Sequence, residues 1–201
     1  MKKRILVSVS AMLVICVLLG LLQAVVMPKY TVNKEGALVG EYYGEIGDHD
    51  VVFVGDCEVY ECFTPPTLWE EYGLTSYIRG SAQQLPWQSY HLLEEMLKRE
   101  TPKAVVFNVY ALKYGEPQKE AYNRMALDGM EWSPVKAEAI FASMTEEEHF
   151  IDYVFPFLRY HSRWSELTAE DFTYAWRDKP LVSDSGYLMQ TGVVPADTQA
   201  E

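Results

Sequence analysis

Cysteine is scarce in this chain. The 201 residues hold three, at positions 16, 57 and 62. None belongs to a paired Cys-x-x-Cys, so no zinc-type pattern is present, and neither a metal nor a cofactor is expected. Positive charge is also scarce. Seventeen Lys and Arg face 29 Asp and Glu. Three of the seventeen are Lys2, Lys3 and Arg4, so everything beyond residue 4 has a formal charge of −15. A surface this acidic, with no basic patch, excludes nucleic acid as a partner. Internal repeats and low-complexity tracts are absent. What remains is ordinary globular composition, 49% hydrophobic and 23% charged, in a chain long enough for one domain or a small pair.

The clearest feature present is an uncharged run from Ile5 to Met27. At about 1.5 Å per residue it extends about 34 Å, enough to cross a bilayer core. It is long for a signal peptide, and Leu22-Gln23-Ala24-Val25-Val26 offers no good small-x-small cleavage site. An uncleaved anchor is therefore favoured over a cleaved signal or a buried core helix. The basic start should stay in the cytoplasm. Pro28 onward then lies outside, and the protein is expected at the cell membrane as a single-pass chain with its bulk extracytoplasmic.

Residues 28–50 carry Gly36, Gly40, Gly44 and Gly47 and read as a juxtamembrane tether with one short helix. Val51–Val54 is a short apolar run between Asp50 and Gly55, as in a strand buried on both faces. After Thr64-Pro65-Pro66, Thr67 with Glu70 suggests the cap of a helix to about Tyr72. Ser76-Tyr77-Ile78 reads as a second strand. From Trp87 to Arg99, Tyr90, Leu92, Leu93, Met96 and Leu97 recur at helical spacing, with Glu94, Glu95, Lys98 and Arg99 opposite. Ala104–Val109 is a third strand, apolar on both faces. This alternation predicts right-handed crossovers and a parallel sheet covered by helices.

Further on, Ser133-Pro134 starts a helix. Thr145 to Glu148 is a capping box before Phe150–Leu158, which Pro156 should kink or end. Thr168 with Asp171 caps a last helix around 172–176. Periodicity is lost from Pro180. The expected organisation is an anchor at 1–27, a tether at 28–50, an α/β domain at 51–190 and a disordered tail at 191–201.

Three strand ends bring Cys57, Gly80 and Asn108 to one rim, where open parallel sheets form their sites. A nucleophile, a backbone N–H and a side-chain amide are the parts of an acyl-transfer site. Cys57 remains open to three roles: nucleophile, half of a disulfide with Cys62, or inert thiol. A disulfide needs a tight turn between the two.

Val51-Val52-Phe53-Val54-Gly55-Asp56-Cys57 resembles the first block of the SGNH (GDSL) hydrolase superfamily, with Cys in place of the nucleophilic Ser. Gly80 resembles the glycine of the second block. Asn108 resembles the asparagine of the third, although Gly-x-Asn-Asp is reduced here to Val106-Phe107-Asn108-Val109. The resemblance extends over roughly residues 48–190, and is similar to membrane-anchored Gram-positive members, some of which act beside membrane-bound O-acyltransferases. It implies a flavodoxin-like three-layer sandwich with a parallel sheet. It also implies an esterase or O-acyltransferase acting on acyl esters of cell-envelope carbohydrate, with Cys57, Gly80 and Asn108 catalytic. Asp56 and Arg79 would lie beside them as substrate-binding residues.

The family's general base is a His in Asp-x-x-His. None of the four His here has Asp three residues earlier. The family domain also continues beyond the point reached at residue 201. The resemblance therefore implies a truncated chain with an incomplete sheet: an enzyme inactive in this form or, alternatively, a catalytically dead module that binds glycan or a membrane-bound O-acyltransferase partner. Two further segments stand out. Glu146-x-x-His149 reads as a solvated helix face. Arg159-Tyr160-His161-Ser162-Arg163-Trp164 reads either as a cationic helix C-terminus or, through Arg159 and His161, as a carbohydrate contact.

Overall fold

The computed structural model describes residues 2–28, 34–45, 47–117, 119–174 and 181–188. The expected tail at 191–201 lies outside them. The chain is a mixed α/β protein with a long apolar N-terminal helix, α1 (Lys2–Val26). No charge or proline interrupts α1 between Ile5 and its end, and it is long and apolar enough to cross a membrane.

Three strands, β1 (Val51–Gly55), β2 (Ser76–Gly80) and β3 (Ala104–Phe107), form a parallel sheet in the order β2-β1-β3. Val51 pairs with Ser76 on one side and Ala104 on the other, so all three strands start level. Between β1 and β2 run α3 (Cys57–Cys62) and α4 (Pro65–Tyr72); between β2 and β3 runs α5 (Pro86–Met96). The pleat sends alternate β1 residues to opposite faces. Phe53 packs with Val59, Tyr60 and Ile78 on the α3 side. Val52 and Val54 pack with Tyr42, Tyr77 and Met96 on the α5 side. The predicted alternation and parallel pairing are therefore observed.

Several expectations need correction. The one short helix expected in the 28–50 stretch is present as α2 (Lys34–Glu41), but its Ala37, Leu38 and Val39 are buried, so it packs into the core rather than serving as a tether. Val39 joins Leu92, Leu127 and Ile140 in the largest apolar cluster, between α5, α6 (Glu120–Leu127) and α7 (Pro134–Ser143). β3 is mostly exposed rather than buried on both faces, because it is an edge that pairs with β1 alone among the described strands. The opposite edge is covered by the aperiodic segment 181–188. Ile78 N–H donates to the Ser185 carbonyl, and Gly186, at φ +81°, brings its backbone so close that a Cβ there would sit 2.2 Å from the Ile78 oxygen.

Helix ends follow local chemistry with some shifts. α4 begins with Pro65 after Thr64 rather than at Thr67, because proline is already set for the first helical position. Ser133 Oγ accepts from Lys136 N–H, as expected for a cap. Thr145 and Glu148 bond to each other's backbone, but as a turn ahead of α8 (Phe150–Val154). Pro156 then separates α8 from α9 (Phe157–Tyr160), which runs into a 3-10 turn at His161–Glu166. α10 (Ala169–Thr173) starts three residues earlier than expected, with Asp171 accepting from Thr168 N–H.

Candidate functional site

The rim at the carboxyl ends of the strands is built by glycine. Gly55 and Gly80 are register partners. A Cβ on Gly80 would meet the Gly55 carbonyl at 2.9 Å, and one on Gly55 would meet Asn108 Cβ and Val59 Cγ2 at 2.5 Å each. Glycine at both positions lets β1, β2 and the Asn108 loop close on one another. Crossovers on opposite faces of a 2-1-3 sheet put the switch point between β1 and β3. Asp56 and Asn108 meet there.

Asp56 is the N-cap of α3, accepting from Glu58 N–H at 3.2 Å. The same carboxylate oxygen accepts from Asn108 Nδ2 at 2.9 Å, and Asn108 Oδ1 accepts from Tyr110 N–H at 2.7 Å. Asn108 N–H in turn donates to the Val54 carbonyl. The amide is thus held by both its ends. Burial pushes the Asp56 carboxyl up, and the N–H of Glu58 only partly offsets this.

Cys57 follows directly as the first residue of α3. It is half-buried against the Phe53–Ile78 cluster. Its thiol is free, as is that of exposed Cys62, which removes the disulfide reading. A helix start should favour a thiolate. Here burial pushes the Cys57 thiol up, and the charges of Asp56 and Glu61 push the same way, outweighing the backbone amides. The structure thus brings Cys57, Gly80, Asp56 and Asn108 to one rim, with a thiol poised towards its neutral form.

The other residues picked from the sequence lie elsewhere. Arg79 is fully buried, on the α5 face of β2. Its guanidinium donates to Glu95 Oε2 and to the Val39 carbonyl, each at 2.8 Å, and stacks 4.2 Å over the Tyr42 ring. It joins α2, β2 and α5 rather than facing a substrate. Arg159 donates to Glu120 at 2.6 Å, and His161 Nδ1 lies 2.7 Å from the Leu158 carbonyl. Of the remaining histidines, His49 pairs with Glu100 and His91 lies beside Glu94, while His149 is exposed at the start of α8. None of these contacts involves Cys57.

Sequence reasoning missed Glu95, which it placed on the polar face of α5. The buried face runs through Gln88, Leu92, Glu95 and Met96, and leaves Tyr90 and Leu97 exposed. An arginine inside a strand bounded by apolar neighbours was the available signal that a buried carboxylate lay across from it. Among the described residues, His91, Glu94 and Glu138 bring ligand atoms within 4.8 Å of one another. Glu94 is already bound to Lys98 at 3.0 Å, and this group lies on α5 and α7, away from the rim. Two surface depressions, one lined by Glu116, Lys119 and Glu147 and the other by His49, Trp69 and Asp184, also leave out the rim residues. Set against known proteins, the chain matches no family model, no curated protein and no solved structure.

Proposed function

We propose that this protein is an extracytoplasmic SGNH-like module, held in the cell membrane by α1 with its N-terminus in the cytoplasm, that binds without turnover. Its partner in this reading is an acylated envelope carbohydrate or the membrane-bound O-acyltransferase that makes one. The observation that carries the reading is the state of Cys57. Cys57 follows the Asp56 that holds Asn108, but burial, Asp56 and Glu61 hold its thiol towards the neutral form, and the four histidines are placed elsewhere. A thiol needs either a low pKa or an adjacent base to act as a nucleophile. The rim offers recognition groups without either.

The test is turnover of an aryl acetate by the purified full chain beside its Cys57→Ala variant. Equal, background-level release is the expected result. A burst or steady turnover that disappears in Cys57→Ala would overturn the binding reading. It would favour instead acyl transfer through Cys57, which the placement of Asn108 beside α3 supports.

A further inference from the structure

α1 does not leave the rest of the protein cleanly. From Lys3 to Leu21 it is exposed all round, and packing begins at Leu22 and is complete at Val26. That last turn contacts α9, the 3-10 turn and α10. Arg163 clamps it: Nη1 donates to the Val26 carbonyl at 2.5 Å, satisfying one of the acceptors every helix leaves open at its C-terminus, and Nη2 donates to Asp171 at 3.1 Å.

The short elements around this clamp expose large apolar groups. Leu158 is 47% exposed, Trp164 66% and Phe172 53%, with Phe155 beside them at 46%. Single exposed apolar residues are ordinary; this group is set apart by lying on and beside the elements that grip the end of α1. Its position at the end of α1 suggests what covers it. The freely exposed apolar stretch Ile5–Leu21 has seventeen residues and rises about 26 Å, short of a hydrocarbon core of about 30 Å. Tilting would shorten it further. The outer boundary of the lipid therefore reaches past Leu21 onto the turn where α9, the 3-10 turn and α10 are packed.

We propose that residues 155–172 form a collar seated in the headgroup layer of the leaflet from which α1 emerges, with Phe155, Leu158, Trp164 and Phe172 entering the acyl boundary. This rests on α1 crossing the bilayer. Aromatic side chains are the residues that prefer this zone. The same elements carry Glu166 and Glu170, and Arg159 and Arg163 are engaged within the protein, so the attraction is apolar and needs no anionic lipid.

The full chain is placed in phosphatidylcholine nanodiscs with Trp164 as the single tryptophan, the other four replaced by Phe. A second protein keeps only Trp69, which is exposed on α4. Trp164 is expected to be quenched by lipids brominated near the headgroup end of the chain about twofold more than Trp69, and to be shielded from aqueous iodide. A nitroxide at Phe172→Cys, with Cys16, Cys57 and Cys62 replaced by Ala, gives a second readout and should favour oxygen over a water-soluble nickel chelate. Retention of the chain in vesicles at alkaline pH is scored separately. An integral chain whose Trp164 and residue-172 probes both face water overturns the collar and leaves the span standing. A chain washed off the vesicles overturns both.

Discussion

Arg79 and Glu95 face each other at 2.8 Å across the interior, 0% and 8% exposed at their side chains. Glu95 also accepts from the Tyr43 hydroxyl at 2.5 Å. Taking one member away leaves the other charge buried without its partner, which typically costs about 3–5 kcal/mol. Arg79→Met should therefore lower unfolding stability by about that amount. The double replacement Arg79→Met, Glu95→Met should recover much of the loss. Urea unfolding followed by circular dichroism decides it, and a single variant as stable as the parent would contradict the ion pair's role.

Gly55 is tested by the smallest possible addition. A methyl there meets Asn108 and Val59 at 2.5 Å, too close for any relaxed carbon contact. Gly55→Ala should cost about 1–3 kcal/mol, whereas Gly115→Ala, which has nothing within 4 Å, should be near neutral. Thermal unfolding of the two variants side by side reads the difference.

Thiol chemistry offers a direct view of the rim. Alkylation proceeds through the thiolate, and burial, Asp56 and Glu61 all hold Cys57 back from it. Exposed Cys62 should therefore be carboxymethylated first at neutral pH, with Cys57 following about threefold or more slowly. Glu61→Gln should speed Cys57, because it removes one of the charges that hold the thiol neutral. Peptide mass mapping over time checks both statements.

Acid sensitivity should trace partly to Glu120. Burial opposes its ionisation, but hydrogen bonds from Arg159 and Arg124 outweigh it and hold the folded carboxyl below its ordinary value. A carboxyl with a depressed folded pKa contributes fully above its unfolded value of about 4.3 and loses that contribution as pH falls through the folded one. The melting temperature should fall on acidification from about pH 5 to pH 3, and Glu120→Gln should flatten this slope while lowering stability at neutral pH. An unchanged slope in the variant would assign the acid loss to other groups, with Asp171, held low in the same way by Thr168 and Arg163 against its burial, the next to examine.

The sequence was most informative where a signal is local. Apolar runs flanked by Asp50, Gly55 and Gly80 marked the strands, Ser133-Pro134 marked a helix start and Pro156 a break, and each depends on residues within one or two turns. The rim could be read in advance because its parts lie at strand ends, whose placement follows from the alternation itself. What escaped depends on distant pairs. Glu95 is buried only because Arg79 lies across from it, sixteen positions away. α2 belongs to the core because its Leu38 and Val39 find partners on α3 and α5. The segment 181–188 has no periodicity because, apart from a tight turn closed between Asp184 and Tyr187, its hydrogen bonds go to β2, to Tyr60 and to the Glu41 carboxylate.

The clamp between Arg163 and Val26 has a mechanical consequence. A domain joined to its span by a slack linker sweeps a hemisphere and meets the bilayer at every angle. With the end of α1 gripped by two helices and a 3-10 turn, the domain becomes a flag on a short stiff pole. With α1 across a bilayer, as proposed above, the rim would travel in a thin sheet parallel to it, at constant height, and its search for partners would be two-dimensional. Molecules in the same leaflet would then be met by lateral drift, and anything free in the surrounding medium would have to descend to that height.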